Sequence, residues 1–298
     1  MTQETRGLIY GFLGVLIFSL TLPATRIAVT DLDATVVGLG RAVVAALLAA
    51  TLLKVTRQPR PRLRHLPSLL VIAAGVIVGF PLLSAWAMQS LPATHGAIVV
   101  GMLPLATALA GALRTGDRPA PTFWCWSGLG SGIVVLFAIF TGGGSLHRAD
   151  LALLGAVAAA AIGYAEGGRL SRELGGWQVI CWALVLAAPF VAVPVGLTLM
   201  QQGWSASFQS WVSFGYISVF SMFFGFFAWY HGLAIGGVAR VSQIQLLQPF
   251  LTLLASAVLL REPITQLTMA TALIVVLIVM LGRNAPISRA PKATNDLS

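Results

Sequence analysis

The sequence predicts an all-α integral membrane protein: ten transmembrane helices built as two inverted five-helix repeats around a central cavity. Three observations carry that expectation. Only 9% of the 298 residues are charged while 57% are hydrophobic, and the mean hydropathy is +0.89. Soluble domains are about a quarter charged, so a water-soluble fold of this length could not cover its own surface. Apolar runs of about twenty residues recur along the chain, the length that crosses a bilayer as a helix, whereas barrel strands would show shorter alternating segments. The third observation is that the second half of the chain repeats the first.

The spans are expected at 7–29, 34–54, 66–88, 92–113, 122–140, 150–171, 177–200, 209–231, 237–260 and 263–282. The first has too long an apolar core for a cleaved signal peptide, and further spans follow at once. Connecting loops are short and leave no room for a soluble domain. The tail 283–298 is polar and is expected to be disordered.

Charge sets the expected orientation. With a cytoplasmic N-terminus, fourteen of the eighteen Lys and Arg residues fall on the inner side, many of them in KVTRQPRPRLRH, Lys54 to His65. That is the positive-inside bias, and an even number of spans returns the C-terminus to the cytoplasm. The outer loop TDLD is acidic, as this topology allows. These flanks account for the net charge of +9, so no nucleic-acid partner is expected; the expected partners are lipid and a small-molecule substrate, and the working unit is read as a monomer. Arg outnumbers Lys sixteen to two, a bias of GC-rich bacterial genomes, which makes the bacterial inner membrane the expected location. Cys125 and Cys181 lie in apolar segments without CxxC spacing and are expected to be packed thiols. No HExxH, GxSxG or paired intramembrane Asp is present, so neither an enzyme nor a metal or other cofactor is expected.

The repeat is carried by WAMQSLPATHGAIVVGMLPLATALAG (Trp86–Gly111) and WYHGLAIGGVARVSQIQLLQPFLTLLAS (Trp229–Ser256). Shifting the chain by 143 residues sets Arg26 on Arg169 and Trp86 on Trp229; after a two-residue slip Pro104 meets Pro249, Thr107 meets Thr252 and Asp117 meets Glu262. The expected halves are 1–140 and 141–282. Five spans per half is an odd number, so the second half must enter the membrane upside down. Inverted repeats are a recurrent transporter architecture, with substrate held where the halves meet.

Several polar or helix-breaking residues fall inside these spans. Pro104 and Pro249 each remove a backbone hydrogen bond and predict a kink, a candidate gate. His95 shares a helical stripe with Val99, Met102 and Ala106; His95 either bonds a neighbour or, with Met102, lines a cavity. Gln245, Gln248, Thr252 and Ser256 form a second stripe, with Gln243 nearby. Amides at membrane depth must face protein or water; they either bond neighbouring helices or hold the polar ends of a substrate, and an amide suits a zwitterion. Glu166 is either an ion pair with Arg169 or a proton-coupling site, with His95 as the other coupling candidate. Phe80, Ser84 and Tyr164 are candidate wall residues, and Arg41 is expected to pair with backbone carbonyls or a carboxylate.

The chain resembles the drug/metabolite transporter superfamily in its EamA branch. The resemblance rests on Trp86–Gly111, on LLQPFLTLLASAVLLREPI with the acidic turns TGDRP (115–119) and REP (261–263), and on GLGRAVVAALLA of the second span. Asp117 stands where Glu is more usual in that branch. The resemblance implies ten spans in two five-span repeats and export of small metabolites by alternating access, with amino acids as the expected substrates. Multidrug efflux and transport of nucleotide sugars or sugar phosphates are the rival activities of the same superfamily.

Overall fold

The computed structural model describes residues 3–115, 118–141, 147–236, 241–283 and 287–288. Eight of its helices are long and apolar enough to cross a membrane: α1 Thr5–Ala28, α2 Val36–Val55, α3 Leu63–Met88, α4 Ala93–Arg114, α5 Trp124–Thr141, α6 Arg148–Leu174, α7 Gly176–Gln202 and α8 Phe208–Gly236. Two shorter apolar helices follow, α9 Ile244–Leu260 and α10 Gln266–Leu281. The expected start of the ninth span, 237–240, and the acidic Asp117 lie outside the described residues. Of the polar tail beyond Arg283 only Ile287–Ser288 is described; it pairs antiparallel with Arg118–Pro119.

Large apolar side chains such as Leu47 on α2, Phe190 and Leu197 on α7, and Leu273 and Leu277 on α10 point outward. In water that surface would be a liability; in a bilayer it is the solvent-facing side. Cys125 sits on this exposed surface, so only Cys181 is the packed thiol the sequence led us to expect of both.

The helices pack as a set that maps onto itself. α1 lies on α8 and α6 on α3; α4 lies on α6 and α9 on α1; α2 meets α7, α4 meets α9, and α5 meets α10. Exchanging each helix for the one five further along the chain returns the same pairs. The two largest partnerships use one device. A Cβ on Gly7 would stand 2.5 Å from Gly236 Cα, and one on Gly14 3.1–3.2 Å from Trp229, so α1 and α8 touch backbone to backbone. On α3 and α6, a Cβ on Gly75 would collide with the Ala159 carbonyl, and one on Gly163 with the Val76 side chain. Between lipid-solvated helices no hydrophobic force favours association, so contact area from small residues takes its place.

Hydrogen bonds sort the helix ends onto two faces. The start of α3 and the ends of α4 and α6 meet where Arg169 Nη2 donates to Ser68 Oγ (2.8 Å) and Arg114 Nε to Glu166 (2.9 Å). On the opposite face the α1–α2 loop meets the start of α8, where Ser210 Oγ donates to Asp31 (2.8 Å). There too the segment after α9 meets the start of α4, where Ala93 and Thr94 N–H donate to Glu262 (2.9 and 2.8 Å).

Six of the described helices are irregular. α1 breaks at Ser19–Leu20. α2, α3 and α8 each carry π-helical turns, at Val36–Gly40, Ala73–Gly79 and Ile217–Phe224. α4 is interrupted between Val100 and Leu103, and α9 opens with a 3₁₀ stretch, Ser242–Leu247. Pro104 and Pro249 occupy the first turn of the helical segment after each of these last two breaks, where a missing N–H costs nothing.

Candidate functional site

These irregularities enclose a central cavity. Phe18, Thr21 and Leu22 come from the α1 break, Arg41 from the residue after the π turn of α2, Val76 and Phe80 from α3, and Val100 and Leu103 from the α4 interruption. Ser221, Met222 and Phe226 come from α8 and Gln248 from α9; the unbroken α6 supplies Ala160 and Tyr164. A helix interrupted at membrane depth exposes backbone and re-aims side chains, which is tolerated only where protein or a water-filled cavity surrounds it.

The wall is mostly aromatic and aliphatic, with polar groups at a few points. Thr21 Oγ1 and Ser221 Oγ share a hydrogen bond across the halves (2.8 Å). Arg41 is 1% exposed; its Nε reaches only Gly38 O at 3.4 Å, and its Nη2 has no hydrogen-bond partner among the described residues. No carboxylate is among the residues around it in the cavity. Gln248 Oε1, 8% exposed as a residue, is likewise unpartnered. A buried guanidinium without a counter-ion is costly, several kcal/mol even after relaxation, and holds only if something else compensates it. The two unpaired groups are complementary: one wants an acceptor with negative charge, the other a donor. The cavity volume is about 20 Å³, room for about one water molecule.

The structure brings Phe80, Tyr164 and Gln248 together and sets the other expected wall residues elsewhere. Ser84 is fully buried and donates to Pro81 O (3.2 Å), away from the cavity. Met102 packs against Gly130 on α5, because the interruption at Gly101–Met102 rotates everything after it out of the stripe begun by His95. Gln245 lies in the 3₁₀ stretch, 2% exposed, outside the cavity, with both amide atoms unpartnered among the described residues. The side chain of Gln243 lies outside the described residues. Thr252 and Ser256 are buried, and Ser256 Oγ bonds Thr252 O (2.8 Å), so of the glutamine stripe only Gln248 borders the cavity.

His95 opens onto a different space. A vestibule of about 580 Å³ lies on the face opposite the N-terminus, lined by His95, Phe137, Thr141, His147, Asp150 and Glu262 among others. Glu166, the second coupling candidate, is 2% exposed and clamped by two cations, Arg114 Nε at 2.9 Å and Arg169 Nη2 at 2.6 Å. That doubly compensated carboxylate ties α4 to α6 at the N-terminal face.

Sequence reasoning missed Arg41 as a wall residue and Asp150 altogether. Arg41 follows a glycine-rich segment, Gly38-Leu39-Gly40, that supplies the π turn, and a lone Arg after such a break was the available signal.

Comparison with known proteins agrees with the two-half fold. The EamA-like transporter family matches twice, over residues 5–141 and 147–282. An uncharacterized transporter of Bacillus subtilis (strain 168), YdeK, is 47% identical over 284 residues, which cover 95% of this chain and 99% of that protein. A solved crystal structure has the same fold, with a TM-score of 0.65 at 16% identity, over 93% of this chain and 96% of that one. With the family matched once in each half, the chain is a multi-pass membrane protein belonging to the EamA-like transporter family of the drug/metabolite transporter superfamily.

Proposed function

We propose that this protein is a ten-span secondary transporter that exports amino acids across the bacterial inner membrane, both termini cytoplasmic, without catalysing a reaction. Its halves form two inverted repeats that rock about the central cavity and open it to each side in turn. What supports the inversion is the packing set that survives exchange of the halves, together with one family match in each half. α9 and α10, short by length alone, take the places in that set that α4 and α5 take in the first half. The cytoplasmic N-terminal face follows from its arginines.

The observation that carries the substrate reading is Arg41. A substrate carboxylate would supply the missing counter-charge, and its ammonium group would donate to Gln248 Oε1. Phe18, Phe80 and Phe226 offer an apolar wall to the side chain. Phosphorylated substrates fit less well, since a phosphate dianion favours more than one cation and Arg41 is the sole Lys or Arg among the residues around the cavity. Cationic drugs would meet Arg41 with like charge.

Counterflow in proteoliposomes containing only this protein tests the reading. Labelled neutral amino acids are expected to exchange, and Arg41→Gln and Gln248→Ala are expected to weaken that exchange. Absence of exchange for every amino acid, with exchange of a phosphorylated or cationic compound instead, would overturn it.

A further inference from the structure

The vestibule contains a second polar cluster that the central cavity does not use. His95 on α4, Thr141 at the end of α5 and Asp150 on α6 meet there. His95 is 6% exposed and Asp150 2%. His95 Nε2 lies 2.8 Å from Asp150 Oδ1, and His95 Nδ1 lies 3.1 Å from Thr141 Oγ1. The second Asp150 oxygen accepts from the His147 backbone N–H at 2.8 Å. The Phe137 ring stacks at a tilt against His95, 5.2 Å between centroids.

Counting hydrogens shows what this cluster can do. The Thr141 hydroxyl has one hydrogen and three acceptors in reach, Phe137 O at 2.8 Å, His95 Nδ1 at 3.1 Å and, more distantly, Ala138 O at 3.4 Å. If it bonds Phe137 O, His95 Nδ1 must carry a hydrogen and donate to Thr141. A neutral imidazole then turns a bare Nε2 toward a carboxylate oxygen at 2.8 Å, two acceptors face to face, so one added proton must lie between them. The pair is then neutral overall. If the hydroxyl turns to His95 Nδ1, the imidazole carries its hydrogen on Nε2 and donates it to the Asp150 carboxylate. The pair now has one proton fewer and a charge of −1. The first arrangement becomes the second when the Nδ1 proton leaves and the hydroxyl turns from Phe137 O to His95 Nδ1. His95 Nε2 and Asp150 Oδ1 stand 2.8 Å apart without a well-directed hydrogen bond, so a proton held between them would relieve two buried polar atoms at once.

The surroundings are few. On the α6 side the nearby titratable or charged groups are His147, whose Nδ1 is 3.8 Å from Asp150, and the exposed Arg148. Across the vestibule stands Glu262, engaged by the Ala93 and Thr94 amides, with Arg261 beside it. No other titratable group of α4 or α5 is among the described residues lining the vestibule. Both His95 and Asp150 border the vestibule. The pair also couples inward: His95 shares the first segment of α4, Ala93–Val100, with cavity residue Val100, and Asp150 shares α6 with Tyr164.

We infer that His95 and Asp150, with Thr141 as the hydroxyl switch, form a proton-binding site that couples substrate export to proton entry. The inference rests on the transport reading above. One proton from the outer side joins the pair while α4 and α6 are clasped and leaves to the inner side when the repeats rock; each proton moving in is matched by one zwitterionic substrate moving out, so a cycle carries one net positive charge inward. Proton occupancy and helix separation are linked because the pair bridges the two helices that would part.

The test uses the full chain in vesicles loaded with a pH-sensitive dye and the amino acid found in counterflow. Substrate moving down its gradient should move protons the opposite way, and an imposed pH difference of one unit should drive about tenfold accumulation at one proton per substrate. His95→Gln and Asp150→Asn should both lose the proton movement and the pH-driven accumulation while keeping counterflow, which also shows that they fold. Counterflow without proton movement in the unmodified protein overturns the inference and leaves the transport reading standing. Variants that keep proton movement overturn the assignment to this pair. Failure of counterflow itself overturns both.

Discussion

A single arginine carries most of the chemistry of the central cavity. Arg41 is buried without a carboxylate partner, which weakens the substrate-free protein; on the proposed function a bound carboxylate would relieve that cost. Two outcomes follow from that asymmetry. Arg41→Gln should raise the KM for an amino acid about ten- to hundred-fold, since a hydrogen bond to a charged group contributes about 1.5–3 kcal/mol. Arg41→Met should raise the melting temperature of the substrate-free protein by a few degrees while abolishing transport, because it replaces an uncompensated charge with an apolar side chain. A fall in melting temperature would mean that Arg41 has a structural partner. Ser84→Ala and Met102→Leu, which do not border the cavity, should leave the KM unchanged. The α1–α2 loop gives a pH-dependent outcome. Asp31 lies outside the spans, and hydrogen bonds from Ser207 and then Ser210 hold its carboxyl below its ordinary value of 3.8. A lowered carboxylate contributes its tie above the ordinary value and loses it as the pH falls through the lowered one. The stacked Trp204 and Trp211 beside this tie, 6.3 Å between centroids, should report its release as a fluorescence change centred below about pH 3.8, absent in Asp31→Asn.

At the scale of helices, the sequence was read correctly where the helix is regular and misread where it is not. Of the expected stripe Gln245, Gln248, Thr252 and Ser256, the last three lie on one uninterrupted segment while Gln245 falls in the 3₁₀ stretch before it; all four are buried. The stripe from His95 to Ala106 crosses an interruption, so His95 faces the vestibule and Met102 faces α5. A π turn adds a residue to the local repeat and shifts every later side chain around the axis, which no helical-wheel argument anticipates. Asp150 escaped notice because it reads as the polar first turn of a helix; only the folded chain brings His95 to it. Two outcomes belong here. Gly75→Val puts side-chain carbon where the Ala159 carbonyl stands and should prevent α3 from seating on α6, so little folded protein should be recovered from membranes. Pro249→Ala restores an N–H at the first turn after the 3₁₀ stretch; folding should be kept and the maximal rate should fall more than the KM rises, if that break is where the α9 segment swings.

Across the whole molecule, the duplication was legible because Pro, Thr and an acidic turn recur at near-constant offset, and a family match in each half agrees with it. The environments of paired residues were not. Trp86 and Trp229, aligned by the repeat, are 44% and 1% exposed, one facing outward and the other packed on Gly14. A shared backbone can thus hold different side-chain duties in its two copies, and Arg41 and Gln248 face the cavity from opposite halves without being counterparts. The central claim is that this cavity opens to each side of the membrane in turn. Ser221 borders it and bonds Thr21 of the other half. In a Ser221→Cys variant with Cys125 and Cys181 replaced by Ser and Ala, a membrane-impermeant thiol reagent added from either side should label the new thiol, and transported amino acid should slow labelling from both. Labelling from one side only, whatever the substrate, would contradict the account.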